Sequence, residues 1–398
     1  MATSRAWTFT ARGNPRSVLS LASRPAPTLP PAPSLLAKVK PMPEAEDGND
    51  WLLVKSAYAA LNPGSYLSMA MLPGVARAKT AVPELDLSGT VEDVWSPGSE
   101  SGPELAAGTT TTTTTPTTAA LKRASRFSKG DRVAAFIPIS YGWPTGTGAL
   151  AEHVIIPSRY AVVVPPHVSL RDAGSVMTAG CTAATMIKTV ALKRGGRVLV
   201  NAASGGVGSL AVQMARAAVG PEGVVVAVCS GRNADLVRGL GADEVLDYTA
   251  SPSPVSRVLK KNFSGEGKQF DAVLDCVGVQ DIYVNCAAYL VPQGIYCAVG
   301  IKPASFSYGS FMNALWKMMT NAFWPVSPWL GGTGRRWVAT SMMDPGKELM
   351  EEVVGMLADG RVKAVVEREI AFDEVLDGYD VVGSGRARGK VVVKVAEE

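Results

Sequence analysis

Residues 197–219 constrain the fold more than any other stretch of the chain. Arg197–Asn201 is a short apolar run of the kind buried on both faces in a parallel sheet, and Ser209–Val219 reads as a helix. Between them lies Ala202–Ala203–Ser204–Gly205–Gly206–Val207–Gly208. In a strand–turn–helix of this type, one glycine lets the backbone approach a pyrophosphate and another lets the helix pack closely on the strand. Gly205 and Gly208 take those places, and Ala203 stands where the first glycine usually does. The helix start adds free N–H groups and a positive dipole end, which suit an anion. Ser204, Gly205, Gly206, Val207 and Gly208 are therefore candidates to cradle the phosphates of a dinucleotide. A glycine cluster alone would equally suit a structural turn; its position after a strand and before a helix favours the phosphate reading.

The surrounding rhythm agrees. From Leu170 onward helices and strands alternate: Leu170–Val190 and Ala234–Gly239 read as helices, and Val224–Ser230, Ala272–Cys276 and Ile295–Val299 as strands. That alternation predicts βαβ units around a parallel sheet. The earlier part, to about Pro166, carries short β-like runs broken by Pro and Gly: Trp51–Ala57, Leu87–Val94, Asp131–Ile137 and Ala149–Ile156. Those predict an antiparallel or barrel-like domain. Arg5–Thr10 reads as a first strand, with Ser17–Ala22 as its continuation. After a helix at Gly346–Ala358, Val362–Ile370 and Lys390–Val395 read as strands like those of the first part. Ser96–Ala120, with its threonine run, is expected to be a disordered surface loop, because it has too little apolar surface to offset ordering entropy.

The end of the second strand speaks to cofactor choice. NAD sites place a carboxylate there, against the ribose 2′-hydroxyl. Here the strand ends in Cys229–Ser230–Gly231–Arg232. A hydroxyl and a guanidinium suit a 2′-phosphate, and the missing acid removes a repulsive charge. NADP(H) is the expected cofactor; NAD, with Arg232 as a solvated helix-start residue, is the alternative.

Composition removes other classes. The net charge is +4, from 39 basic and 35 acidic residues scattered along the chain, so no basic face for nucleic acid is apparent. Five cysteines without paired close spacing argue against a disulfide framework. The two histidines, His153 and His167, have no Cys/His cluster of zinc-ligand spacing around them, so no metal site is expected. No run is long enough for a membrane helix. Arg5, Arg12 and Arg16 without neighbouring acids allow a mitochondrial presequence. Removing one would also remove the first strand, so a cytoplasmic location is expected first and a mitochondrial one second.

An ordered set of motifs then gives the chain a family resemblance. These are Ala60–Leu61–Asn62–Pro63, Gly130–Asp131–Arg132–Val133, Gly148–Ala149–Leu150–Ala151–Glu152, Gly180–Cys181–Thr182–Ala183, Asn201–Gly208, Leu240–Gly241–Ala242–Asp243, Asp275–Cys276–Val277–Gly278 and Gly389–Lys390–Val391–Val392. Together they resemble the zinc-independent medium-chain dehydrogenase/reductases of the quinone oxidoreductase-like branch, over nearly the whole chain except Ser96–Ala120. The resemblance implies an α/β fold: a GroES-like β-barrel substrate domain plus a Rossmann doubly wound parallel-sheet domain, with cofactor and substrate in the cleft between. It implies domains at 1–170, 171–340 and 341–398, the last returning to the barrel.

It also implies residue roles. Thr182 would lie by the nicotinamide, Asn62 at the substrate side, and Ser230, Arg232 and Tyr248 around the 2′-phosphate. Cys276, Val277, Gly278, Val299 and Gly300 would line the nicotinamide end, and Lys390 of the last motif would lie at the cofactor. Asn62–Pro63–Gly64–Ser65–Tyr66 lacks the acid that many relatives carry. Two readings of Tyr66 stand: a phenolic proton donor or a packing tyrosine.

Phe306–Leu330 crowds aromatic and Met side chains, including Phe311, Trp316, Met318, Phe323, Trp324 and Trp329. It suits core or dimer packing, a wall for a lipophilic or planar carbonyl substrate, or a peripheral membrane contact. The leading expectation is an NADPH-dependent reductase of quinones or α,β-unsaturated carbonyls. A trans-acting enoyl reductase of a biosynthetic pathway is the alternative enzyme, and a cofactor-bound scaffold or sensor the non-enzyme.

Overall fold

The structure is a computed structural model that describes residues 2–32, 50–71, 74–96, 125–303, 308–323, 327–340 and 344–397. The expected loop Ser96–Ala120, beyond its first residue, lies outside the described residues, as do Phe306 and Trp324. No described helix is long and apolar enough to cross a membrane.

Strands β1 (Thr3–Thr8) and β2 (Ser20–Pro25) pair as an antiparallel hairpin. Ser17–Ala22 is thus not a continuation of the first strand. A single helical turn at Pro15–Val18 reverses the chain, with Asn14 accepting the Arg16 N–H at 3.0 Å as its cap. The barrel follows as β3 (Trp51–Leu61), β4 (Asp86–Trp95), β5 (Arg132–Phe136), β6 (His153–Pro157) and β7 (Ala161–Val163).

The dinucleotide unit supplies β8 (Arg197–Asn201), β9 (Val224–Cys229), β10 (Glu244–Asp247), β11 (Phe270–Asp275), β12 (Leu290–Ala298) and β13 (Arg336–Ala339). The chain then returns to the barrel with β14 (Val366–Ala371) and β15 (Lys390–Lys394). β3 is the barrel's spine. One edge pairs with β4; the other pairs with β6 over Trp51–Lys55 and with β15 over Tyr58–Leu61.

The second sheet is six-stranded and parallel, in the order β10-β9-β8-β11-β12-β13. Renumbered within the unit this is 3-2-1-4-5-6, the doubly wound order, in which ligands bind at the carboxyl ends of the strands where the order reverses. Here the reversal falls between β8 and β11, whose last residues Asn201 and Asp275 are register partners.

The helix Leu170–Val190 holds the two halves together. Ser169 caps it by accepting the Asp172 N–H at 3.1 Å. Its Val176, Met177 and Ala184 share one core with Tyr58, Phe136 and Val392 of the barrel and with Leu210 and Val212 of the dinucleotide unit. At about 1.5–3 kcal/mol for each fully buried side chain such as Met177, that double packing outweighs the cost of the glycines the helix contains. A boundary at residue 170 therefore cuts at the first turn of an element both halves need.

Three strands lie outside the expected runs: the three-residue β7, β10 and β13. β10 and β13 are sheet edges with exposed charges (Glu244, Arg336) in place of an apolar run. β3 and β4 approach so closely that a Cβ on Gly89 would lie 2.0 Å from the Lys55 carbonyl oxygen. Gly89→Ala is expected to destabilise the protein by about 1–3 kcal/mol, read as a lower denaturant midpoint. An unchanged midpoint would refute this packing.

Candidate active site

The helix after β8 begins at Gly206, three residues earlier than its apolar pattern suggests, with Gly205 as an N-cap that offers no side-chain bond. The first intrahelical donor is Ser209, bonded to the Gly205 carbonyl at 2.9 Å. The N–H groups of Gly206, Val207 and Gly208 thus precede the helical ladder and point out of its start. Gly208 is required by contact: a Cβ there would sit 2.1 Å from the Ala202 carbonyl oxygen. Ala202 itself adopts φ 56° to make the turn. Ser204 Oγ accepts from Asn233 Nδ2 at 2.9 Å, which ties the turn to the loop after β9. Asn233, buried, is a site residue the sequence reading missed.

The loop expected to line the nicotinamide is organised by Asp275. Its carboxylate, fully buried, accepts from Gly278 N at 2.9 Å, Val279 N at 2.6 Å, Asn201 Nδ2 at 2.8 Å and the Tyr296 hydroxyl at 2.6 Å. These bonds shape the loop Cys276–Gly278. Gly278, at φ 79°, lies so close to the Gly300 carbonyl that a Cβ would be 2.2 Å from it. Val299 N donates to the Asp275 carbonyl at 3.1 Å. The structure therefore brings Cys276, Val277, Gly278, Val299 and Gly300 together.

On the facing side, β15 delivers Lys390 to the glycine turn. Gly389 N donates to the Ser204 carbonyl at 2.8 Å, and a Cβ on Gly206 would lie 2.9 Å from Lys390 Cδ. The buried Lys390 ammonium donates to Asn62 Oδ1 at 2.6 Å and lies 3.5 Å from Asp86 Oδ2. Asn62 Nδ2 in turn donates to Glu84 Oε2 at 3.1 Å and Asp86 Oδ2 at 3.3 Å. Asp86 Oδ1 accepts the Thr178 N–H at 2.8 Å and the Thr178 hydroxyl, and Thr182 Oγ1 donates one turn back to the Thr178 carbonyl at 2.7 Å. Gly206, Lys390, Asn62 and Thr182 are thus joined through two buried acids that sequence reasoning had not singled out.

Tyr66 is not part of this set. Its hydroxyl accepts from Asn14 Nδ2 at 2.9 Å, and its ring packs on Tyr379 with centroids 6.4 Å apart.

At the other end, Ser230 is buried and Arg232 exposed, with Arg232 Nη2 donating to the Arg386 carbonyl at 3.2 Å. Arg386 and Arg388, both exposed, sit on the loop that leads into Gly389. Tyr248 N donates to the Cys229 carbonyl at 3.1 Å, which places the exposed tyrosine beside the end of β9. One carboxylate is near. Asp247, at the end of β10, accepts from Thr249 Oγ1 at 2.6 Å, Thr249 N at 2.8 Å and the Gly231 N–H, and these bonds hold it below the usual carboxylate range.

The cysteines carry no nucleophile. Burial pushes the Cys229 and Cys297 thiols up to about 11 and Cys286 to about 12, and raises Cys181 and the partly exposed Cys276 as well. His153, at the start of β6, lies between Ser4 Oγ (3.1 Å) of β1 and Glu92 Oε2 (3.4 Å) of β4. Of the aromatic segment, helix Tyr308–Phe323 turns Met318 toward Gly300, and its Asn321 pairs with Gln280 at 2.9–3.1 Å. Met312, Trp316, Met319, Phe323 and Trp329 face outward and are exposed.

Comparison with known proteins gives these features a family. A family model described as zinc-binding dehydrogenase matches residues 240–393. The trans-enoyl reductase poxH of Penicillium oxalicum is 30% identical over 100% of this chain and 99% of its own length. The chloroplast envelope quinone oxidoreductase homolog of Arabidopsis thaliana is 30% identical over 67% of this chain and 74% of its own. The quinone oxidoreductase of Coxiella burnetii superposes with a TM-score of 0.68 at 22% identity, covering 99% of this chain and all of that one. The chain belongs to the medium-chain dehydrogenase/reductases, in their quinone oxidoreductase-like branch, and is an oxidoreductase.

The family name raises zinc. A catalytic zinc takes three protein ligands, and among the described residues no three His, Cys, Asp or Glu side chains are grouped to hold a metal.

Two measurements check this geometry. Asp275→Ala strips five donors, Val277 N included, of one buried acceptor and is expected to cost about 3 kcal/mol, seen in the denaturation midpoint; an unaltered midpoint would remove Asp275 from this role. Iodoacetamide at pH 7.5 is expected to alkylate the native thiols at least roughly tenfold more slowly than the unfolded chain. A thiol that reacts faster in the native protein would overturn the assignment of all five as inert.

Proposed function

We propose that the protein is an NADPH-dependent reductase that, without zinc, reduces a quinone or an α,β-unsaturated carbonyl compound. One observation carries this reading. The glycine turn after β8 faces a buried Lys390–Asn62 pair from the barrel, and β9 is followed by Ser230 and Arg232, with no carboxylate at that strand's end.

The turn residues Ser204–Gly208 fit a pyrophosphate, and Ser230, Arg232, Tyr248 and the neighbouring Arg386 fit a 2′-phosphate. Thr182, Cys276–Gly278, Val299 and Gly300 bound the place of the nicotinamide, which when bound supplies the hydride. The chain's work is then positioning and exclusion of water. The acceptor's activated double bond gains a hydride at one atom and a solvent proton at its partner, while the cofactor is oxidised. Met318 beside Gly300 gives the acceptor side an apolar, adaptable surface, which favours a lipophilic or planar substrate.

A second reading lies within the same chemistry: a trans-acting enoyl reductase serving a biosynthetic pathway. The full-length likeness to poxH favours it.

NADPH absorbance followed with a panel of quinones, 2-alkenals and enoyl thioesters decides between them. Turnover of quinones or enals supports the leading reading, turnover of enoyl thioesters alone supports the second, and tight NADPH binding with no oxidation by any acceptor refutes both. Arg232→Ala is expected to weaken NADPH roughly tenfold or more, as for a lost charged hydrogen bond, and NADH by less than about twofold. Equal losses would sink the 2′-phosphate assignment. Exhaustive dialysis against a chelator is expected to leave the rate unchanged; a loss restored by Zn²⁺ would refute the zinc-free mechanism.

A further inference from the structure

Glu84 is a buried acid that the reading above leaves unused. It lies just before β4, is 2% exposed, and holds φ at 71°, the left-handed region that favours glycine. A side chain kept there at a backbone cost invites a functional question. Its Oε1 accepts from Asn62 N at 3.2 Å and from the Tyr379 hydroxyl at 2.7 Å, and its Oε2 accepts from Asn62 Nδ2 at 3.1 Å.

The Asn62 amide is thereby sorted. Its nitrogen faces three acceptors, Glu84, Asp86 and the Ala60 carbonyl (3.1 Å), while its oxygen faces the Lys390 ammonium at 2.6 Å. Turned the other way, the amide oxygen would meet carboxylates and the NH₂ would meet an ammonium, so only one orientation satisfies the cluster.

We infer that Glu84 is a positioning residue for the active site: its carboxylate fixes the Asn62 amide, and through it the Lys390 ammonium beside the glycine turn. The inference rests on the reading of that cluster as the reductase's site.

It carries a pH signature. Burial pushes the Glu84 carboxyl up to about 7, against the opposing pull of the Tyr379, Ser65 and Asn62 bonds. The groups that face it are Asn62 on β3's end, Ser65 and its helix Pro63–Met71, Asp86 on β4, Lys390 on β15, and Tyr379 on helix Val375–Gly383. The Tyr379 phenol stays protonated, since burial and the Glu84 charge raise it well above its ordinary value. When Glu84 takes a proton, its new O–H fits only if the Tyr379 bond reverses, with the phenol oxygen accepting, or if a bond from Asn62 is lost. The bonds that sort the Asn62 amide are therefore those of the anion, the form above neutral pH.

The test is kcat/KM and the NADPH Kd, each measured from pH 5.5 to 8.5, for wild type, Glu84→Gln and Tyr379→Phe. The wild-type kcat/KM is expected to rise through an inflection near pH 7. Glu84→Gln should lose roughly tenfold at pH 8, the worth of one charged hydrogen bond, and should lose the inflection. Tyr379→Phe removes a donor that favours the anion, so its inflection should move to higher pH. The NADPH 2′-phosphate itself titrates near pH 6 (approximately), so each profile is read as a difference from wild type.

Should Glu84→Gln not fold, Glu84→Gly, suited to the φ at this position, replaces it with the same expectation. The inference is overturned if the Glu84 variant keeps the wild-type rate and inflection, if it lowers only thermal stability, or if Tyr379→Phe leaves the inflection in place. Failure of the reductase reading looks different. A wild type that binds NADPH but reduces no acceptor refutes that reading, and the same three profiles of the NADPH Kd then test Glu84 by themselves.

Discussion

The Lys390 ammonium lies away from water, between an amide oxygen and a carboxylate, with its aliphatic stem against a glycine of the dinucleotide turn. A buried cation is costly unless paired and hydrogen-bonded, so its partners have little freedom. Asn62 must present its oxygen, Asp86 must stay close, and Thr178 must complete Asp86 from the shared helix. The barrel and the parallel sheet are thereby joined by a polar knot as well as by an apolar core. The glycine at 206 belongs to the same constraint, since any side chain there would push on the lysine.

Much of this was legible in the residues. Arg197–Asn201 is a buried strand because Val198, Leu199 and Val200 pack fully into the core, and the strand–turn–helix order of 197–219 stands in the structure. So did the absence of an acid at the end of β9, a purely local fact. The elements that escaped were those whose stability comes from elsewhere. β10 and β13 are edge strands, wet on one side, and their composition carries no apolar run. Helix Tyr308–Phe323 has apolar residues on more than one face, so its periodicity is blurred.

The site divides in the same way. Ser204, Gly205, Gly206 and Gly208 announce themselves through spacing. Glu84, Asp86 and Asn233 are single polar residues in otherwise unremarkable surroundings, and partners on separate elements, Asn62, Thr178, Tyr379 and Lys390, give the first two a role. Asp247 shows the converse. By chain position it belongs to the third strand, yet the sheet sets it beside Gly231, where a rule based on the second strand alone does not look.

One topological detail has a consequence for how the protein comes into being. β15 inserts between β3 and β14, and Lys390 meets Asn62 across 328 positions of sequence. The parallel sheet is built from neighbours and can form while synthesis continues, as local units do on the ribosome. The barrel has no such freedom. Until residues 389–394 emerge, half of one edge of β3 stands open, and loop-closure entropy makes that last contact slow. The nascent chain thus holds a nearly finished nucleotide fold beside an unsealed sheet edge, the kind of surface that invites mispairing. Completion of the Lys390–Asn62 cluster and sealing of that edge are then one event, so a chain that has assembled its candidate site has also covered the open edge of β3.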